Sequence, residues 1–262
     1  MQNITAPYQP NYTELGANHG KLEIGGCYPG YGATLGNALR RILLSSLPGA
    51  AARSVKLKGV SHEFSTIPGV MEDVVQIILN MKQVRFRSHA DEAVTVTVKA
   101  KGEGVVTASA IKCPSSIEVV NPDQVIATLT DKKAEFEMDI TIDRGLGYIP
   151  VEAREEEERE IGEIAIDAIY TPIKRVNYEV ENMRVGKRTD YDKITLEIVT
   201  DGTISPVEAF NQAVAILVAQ FSVLSVAGTQ TESTPETEEK AEKKAPKKAK
   251  KTAVEAEAVE TE

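Results

Sequence analysis

Acid–base or metal chemistry in this chain would have to come from His19, His62, His89, Cys27, Cys113 and the carboxylates around them. Their spacing does not suit it. The histidines are scattered, with no HExxH and no pair at ligand spacing, and the cysteines form no CxxC. His62 beside Glu63 could be drawn as an acid–base pair, but neighbours on a strand face opposite sides of the sheet. The run Glu155 to Glu158 lacks the glycine and spaced oxygen ligands of a calcium loop. It reads as a solvated loop or a docking patch for basic regulators. No GxSxG elbow or GxxxxGK[ST] loop occurs, and the GLG at 145–147 runs into Tyr-Ile-Pro instead of a helix. No metal site is expected. What remains is charge presented on a surface. In TLGNALRRILLSSLPG, residues 34–49, apolar residues recur at Leu35, Leu39, Ile42 and Ser46/Leu47, and Pro48-Gly49 stops the helix. Arg40 and Arg41 sit mid-helix about 100° apart, so one falls at each margin of the buried stripe. Such a helix is either a core helix with snorkelling arginines or one that packs on one side and offers charge on the other.

The elements that would hold this helix alternate between strands and a few helices. Val94, Val96 and Val98, then Phe136, Met138, Ile140 and Ile142, then Ile194, Leu196 and Ile198 alternate with polar residues. Shorter strands are expected at 21–24, 54–60, 117–120, 164–170 and 175–180. Half-buried alternation suits antiparallel sheets with one wet face, so the class is α+β. A second helix is signalled by Thr66 and Pro68 ahead of VMEDVVQIILNMKQ, with Glu72 and Asp73 in its first turn, Val74, Ile77, Ile78 and Met81 buried, and Lys82 at its end. The third opens with Ser205-Pro206-Val207-Glu208, a capping box. Val207, Phe210, Val214, Leu217, Phe221 and Leu224 form its seam, and Ala209, Ala213, Ile216 and Val223 cover a neighbouring face. Two apolar faces exceed what one sheet covers. Either the domain encloses this helix or a second copy of the chain does, helices one and three forming a small bundle across a two-fold axis.

Bulk properties narrow the class. The chain has 262 residues, 42% hydrophobic, with a formal net charge of −9, which argues against gripping nucleic acid over its whole surface. No apolar run reaches membrane-spanning length and the N-terminus has no leader-like core, so a cytoplasmic protein with no membrane partner is expected. From 229 to 262 the chain is almost entirely Thr, Glu, Lys, Ala and Pro, and is expected to be disordered. Its run Lys243, Lys244, Lys247, Lys248, Lys250 and Lys251 would either touch nucleic-acid phosphate weakly or simply solubilise the chain.

The wording of these segments resembles a known family. GNALRRILLSS before a proline is similar to the first helix of bacterial RNA polymerase alpha subunits. In the same order follow VSHEFSTIPGVMEDVVQIILNMK at 60–82, RGLGYIP at 144–150, VGKRTDYDKITLEI at 185–198 and TDGTISPVEA at 200–209. The resemblance implies a dimerisation subdomain from residues 1–48 and 175–228, an inserted β-rich subdomain at 49–174, and a disordered tail at 229–262. It implies a homodimer on which the beta and beta-prime catalytic subunits assemble, with omega and sigma in the same complex. Arg41, Leu44 and Lys82 would face beta, and Ile173, Arg184, Arg188 and Asp190 would face beta-prime. Leu35, Leu39, Ile42, Phe210, Val214, Leu217, Phe221 and Leu224 would form the dimer interface. Catalytic carboxylates and Mg2+ would belong to the large partner subunits, with no catalytic residue or cofactor on this chain. The family's C-terminal domain that binds upstream DNA has no counterpart in the tail, so DNA contact is expected to be indirect or weak. Two rival readings are a stand-alone homodimeric binding protein and a small-molecule enzyme with a site shared across a dimer.

Overall fold

Two strands lead the fold, β1 (Asn11–Gly16) and β2 (His19–Cys27), and the helix with the paired arginines follows as α1 (Tyr31–Ser45). The computed structural model describes residues 4–154, 160 and 162–224. The expected disordered tail and the acidic run at 155–158 lie outside the described residues. The middle of the chain supplies β3 (Pro48–Leu57), α2 (Val74–Met81), β4 (Phe86–Ser88), β5 (Val94–Lys101), β6 (Gly104–Thr107), β7 (Ile111–Lys112), β8 (Ile117–Val119) and β9 (Val125–Leu129). It continues through β10 (Glu135–Leu146), β11 (Tyr148–Ile149), β12 (Glu163–Ala165) and β13 (Ala168–Ile169). The hairpin β14 (Ile173–Val185) and β15 (Arg188–Thr200) then leads into α3 (Pro206–Val223).

Two large antiparallel sheets result, together with the two-stranded antiparallel ladders β11-β13 and β6-β9. One large sheet runs β1-β2-β15-β14; the other runs β7-β5-β10-β3-β4-β8, with β12 beside β3. The fold is α+β. In the first sheet Leu22, Ile24, Ile194, Leu196 and Ile198 turn inward onto α1 and α3, while Lys21, Glu23 and Lys193 pair on the outer face. Its core also takes Leu43, Leu47, Ala209 and Ala213, and is thus built from both ends of the described chain. The second core gathers Val74, Ile77 and Met81 of α2 over Val96, Val98, Met138, Ile140 and Ile142. Each fully buried Leu or Ile contributes about 1.5–3 kcal/mol. Arg87 ties the two parts together, donating to the Thr203 carbonyl from Nε at 2.9 Å and Nη2 at 2.7 Å.

Long-range contacts move several element boundaries away from the sequence pattern. α1 starts at Tyr31, ahead of the apolar repeat, because its cap comes from β15. Asp192 Oδ2 accepts from the backbone N–H groups of Gly30 and Gly32, each at 2.9 Å. Its buried side is Gly32, Gly36, Leu39 and Leu43, while Leu35 and Ile42 are only half-buried. The two glycines let the helix backbone approach β14: a Cβ at Gly36 would lie 2.6 Å from the Tyr178 ring, and one at Gly32 would lie 2.7 Å from Val180. α2 begins at Val74, so Asp73 is its N-cap, accepting from Gln76 N at 2.7 Å, and not a first-turn residue. Glu72 lies outside the helix and accepts from Thr128 N. The strand expected at 164–170 breaks in two at Asp167, whose side chain is used elsewhere. β3 ends at Leu57, before Gly59 at φ 82°.

Candidate functional site

The C-terminal turn of α1 is where charge meets exposed apolar surface. With about 100° per residue, the buried residues Gly32, Gly36, Leu39 and Leu43 centre one face of the helix. Arg40 falls about 80° from that centre and Arg41 about 180° from it, so they are not matched margins as the spacing suggested. Both are exposed, and the Arg41 guanidinium has no ion pair among the described residues. Leu44, one turn on, is 38% exposed. Ser45 Oγ donates to the Arg41 carbonyl at 2.8 Å, satisfying one of the helix's orphan acceptors.

The RGLGYIP segment closes against this turn. Gly147, at φ 66°, turns the chain from β10 into β11, and a Cβ there would lie 3.6 Å from the Ser45 carbonyl oxygen. The Gly147 carbonyl accepts from Tyr170 N at 2.9 Å, and Gly145 lies flat on the Tyr170 ring. The Tyr170 hydroxyl donates to Asp143 at 2.7 Å; burial, then that carboxylate, raise its pKa above the usual phenol range. On either side of Gly147, Leu146 and Tyr148 are 55% and 57% exposed. Lys82 arrives from the end of α2, its Nζ donating to Asp167 Oδ2 at 2.6 Å. Asp167 Oδ1 accepts from Val151 N at 3.0 Å. The Lys82 ammonium, and after it Val151 N–H and Tyr148, hold the Asp167 carboxyl below its usual range against the opposing cost of burial. Arg41, Leu44, Leu146, Tyr148 and Lys82 therefore sit on segments that touch in sequence: α1 to the Gly147 turn, and that turn through Asp167 to α2.

The second group of sequence-nominated residues is split. Arg184, Arg188 and Asp190 are exposed near the turn of the β14–β15 hairpin. Arg188 grips Asp190 with two hydrogen bonds, 3.0 and 2.6 Å, and lies over the rings of Tyr191 at 5.3 Å and Tyr28 at 5.8 Å. Arg184 Nε donates to the Gly186 carbonyl. Ile173 is different: it is 4% exposed and part of the first core, so its side chain is not available to a partner. On α3, Phe210 is buried in the chain's own core, as is Leu39 on α1. Val214 and Leu217 are half-buried beside them, and beyond these Val218, Phe221 and Leu224 are 63%, 62% and 73% exposed. The α3 capping box is present as the sequence signals, Ser205 Oγ receiving Glu208 N and Glu208 receiving Ser205 N.

The histidines do not converge. His19 pairs across strands with Glu197 at 2.5 Å, and Arg175 joins the same carboxylate. His62 lies in a turn, not a strand, and faces Ser65 at 3.1 Å. Among the described residues no cluster of His, Cys, Asp or Glu is arranged to hold a metal, and no helix is long and apolar enough to cross a membrane. Sequence reasoning missed Asp167, Asp192 and Tyr148. Their main partners lie far away in sequence, and the local signals were only Tyr148's place in RGLGYIP and Asp192's place in VGKRTDYDKITLEI.

Residues 55–171 match the family model described as the RNA polymerase Rpb3/RpoA insert domain. The chain is 50% identical over 223 residues to the DNA-directed RNA polymerase subunit alpha of Roseiflexus castenholzii, which covers 83% of this chain and 68% of that protein. It is 48% identical over 229 residues to the subunit of the same name from Carboxydothermus hydrogenoformans, covering 86% and 73%. With the one from Symbiobacterium thermophilum it shares 52% over 200 residues, 76% of this chain and 63% of that protein.

Proposed function

We propose an assembly role for this chain, which belongs to the family of bacterial DNA-directed RNA polymerase alpha subunits. It acts inside the cell as a homodimer, a non-catalytic platform on which the beta and beta-prime subunits, with omega and sigma, come together for transcription. Two-metal nucleotidyl transfer needs carboxylates that hold magnesium, and in this reading the large partners supply them.

The observation that carries the reading is Arg41. A guanidinium directed straight away from its helix's buried face, with no ion pair among the described residues and Leu44 exposed beside it, is what a partner-facing helix presents. Beta is assigned to this surface, which Lys82 borders. Beta-prime is assigned to Arg184, Arg188 and Asp190, with Ile173 withdrawn. The dimer contact is assigned to Leu35, Ile42, Val214, Leu217, Phe221 and Leu224, the members of the original set with surface left to bury. Leu39 and Phe210 support it from within the core. The test is gel filtration of the full chain with purified beta and beta-prime. Wild type co-elutes with beta, and Arg41→Ala remains a dimer but loses beta. An Arg41→Ala dimer that still carries beta at wild-type affinity refutes the assignment.

A further inference from the structure

Lys82 is placed oddly for a residue that reaches a partner. Its side chain is only 25% exposed, and its ammonium is already committed to Asp167 at 2.6 Å. Ion-paired lysines on the second sheet are more open: Lys56 at 46%, Lys99 at 55% and Lys101 at 75%. Asp167 in turn does more than neutralise Lys82. It accepts from Val151 N, so it holds the chain just after RGLGYIP. In the β11–β13 ladder Tyr148 pairs with Ile169, which puts Tyr148 diagonally across from Asp167, within reach of its carboxylate. The other end of the segment is fixed by the Gly147 carbonyl, which takes Tyr170 N, and by Gly147 lying against the end of α1. A segment carrying two exposed apolar residues is thus pinned at both ends.

We infer that Lys82 is a positioning residue and not a contact residue: through Asp167 it fixes the segment from Leu146 to Val151, so that Leu146 and Tyr148 extend the surface begun by Arg41 and Leu44. This rests on the assignment of that surface to beta. The partner chemistry follows from the surface itself. Arg41 calls for a carboxylate, and Leu44, Leu146 and Tyr148 call for apolar side chains around it that exclude water from the pair. Lys82, spent on Asp167, needs no acidic group of its own on the partner.

A double-mutant cycle separates the two roles. The full chain is titrated with purified beta subunit, and amide hydrogen exchange of residues 146–151 is followed in the free chain. Lys82→Met and Asp167→Asn are each expected to weaken beta binding about tenfold and to speed exchange in that segment, with the double variant no weaker than the worse single. Lys82→Arg restores binding, because a guanidinium also reaches Asp167. Tyr148→Ala weakens binding with Lys82 and Asp167 intact. If the double variant instead loses about a hundredfold, the product of the singles, Lys82 touches beta directly and the inference is overturned. Single variants that bind normally, or a segment whose exchange does not change, overturn it as well. Should Lys82→Met or Asp167→Asn fail to fold, Lys82→Arg and Tyr148→Ala, judged by the same two readouts, decide the matter. Arg41→Ala is measured alongside: if it binds beta normally, the assignment of the surface fails, whatever the cycle shows.

Discussion

The close approach of α1 to β14 makes Gly36→Ala a sharp test of how the arginine helix is seated. A Cβ at Gly36 would lie 2.6, 3.0 and 3.2 Å from Cδ2, Cε2 and Cγ of Tyr178, against the 3.4 Å at which ordinary contact begins. The ring root is among the clashing atoms, so swinging the hydroxyl end aside does not relieve it; helix or ring must shift by nearly 1 Å. Overpacking of this kind costs about 1–3 kcal/mol. Alanine's better helix propensity returns about 1 kcal/mol. The net expectation is a loss of about 1 kcal/mol, which for a body of this size lowers Tm by roughly 2–4 °C. Asn37→Ala, on an exposed position of the same helix, receives the propensity gain without the clash and melts at or slightly above wild type. Differential scanning calorimetry of the two variants at one protein concentration makes the comparison. Shrinking the ring with Tyr178→Val should rescue Gly36→Ala partly, since the two positions share one contact. A Gly36→Ala chain that melts above wild type would refute the seating of α1 on β14.

Other perturbations follow from the same contacts. Ser205→Ala removes the side-chain half of the α3 capping box, the bond from Glu208 N–H to Ser205 Oγ, while the backbone N–H of residue 205 can still donate to Glu208. It should cost about 1 kcal/mol by denaturant titration, with faster amide exchange in the first turn of α3. Phe221→Glu places a charge in the exposed apolar end of α3, and the dissociation constant of the proposed dimer, measured by analytical ultracentrifugation, should rise at least about tenfold; an unchanged constant would refute the assignment of the dimer contact to α3. Asp167 has a depressed carboxyl, so its contribution to stability is complete above about pH 4 and fades as the pH falls through its lower folded value. The stability difference between wild type and Asp167→Asn should therefore shrink on acidification below about pH 4 and stay level from pH 5 to 8, a trend that thermal melts across that range would read.

How far the chain could be read in advance depended on whether a signal was local. The α3 cap needs only residues 205–208, so spacing alone located it. The strand 136–142 was legible because Phe136, Met138, Ile140 and Ile142 face one side at the period of a strand. α1 began earlier than its apolar repeat because glycines carry no hydrophobic signal, yet Gly32 and Gly36 are among its most enclosed residues. Nor could any window around residue 30 reveal that the helix cap is Asp192. The broken strand at 164–170 has the same origin: Asp167 interrupts an apolar run to serve Lys82 and Val151, which lie 85 and 16 residues away.

The same point decides between the two arginines. Counted along the apolar repeat Leu35, Leu39 and Ile42, Arg40 and Arg41 look like matched margins of one stripe. The buried face is rotated from that count, because Gly32, Gly36 and Leu43 take part in it and Leu35 and Ile42 only border it. The rotation leaves Arg40 beside the packed side and puts Arg41 opposite it. A partner docking on the free side of α1 meets Arg41 and Leu44 first, while Arg40 can at most reach it along the helix flank. Two adjacent residues of the same type thus carry different burdens, and glycines a turn or two upstream are what separate them.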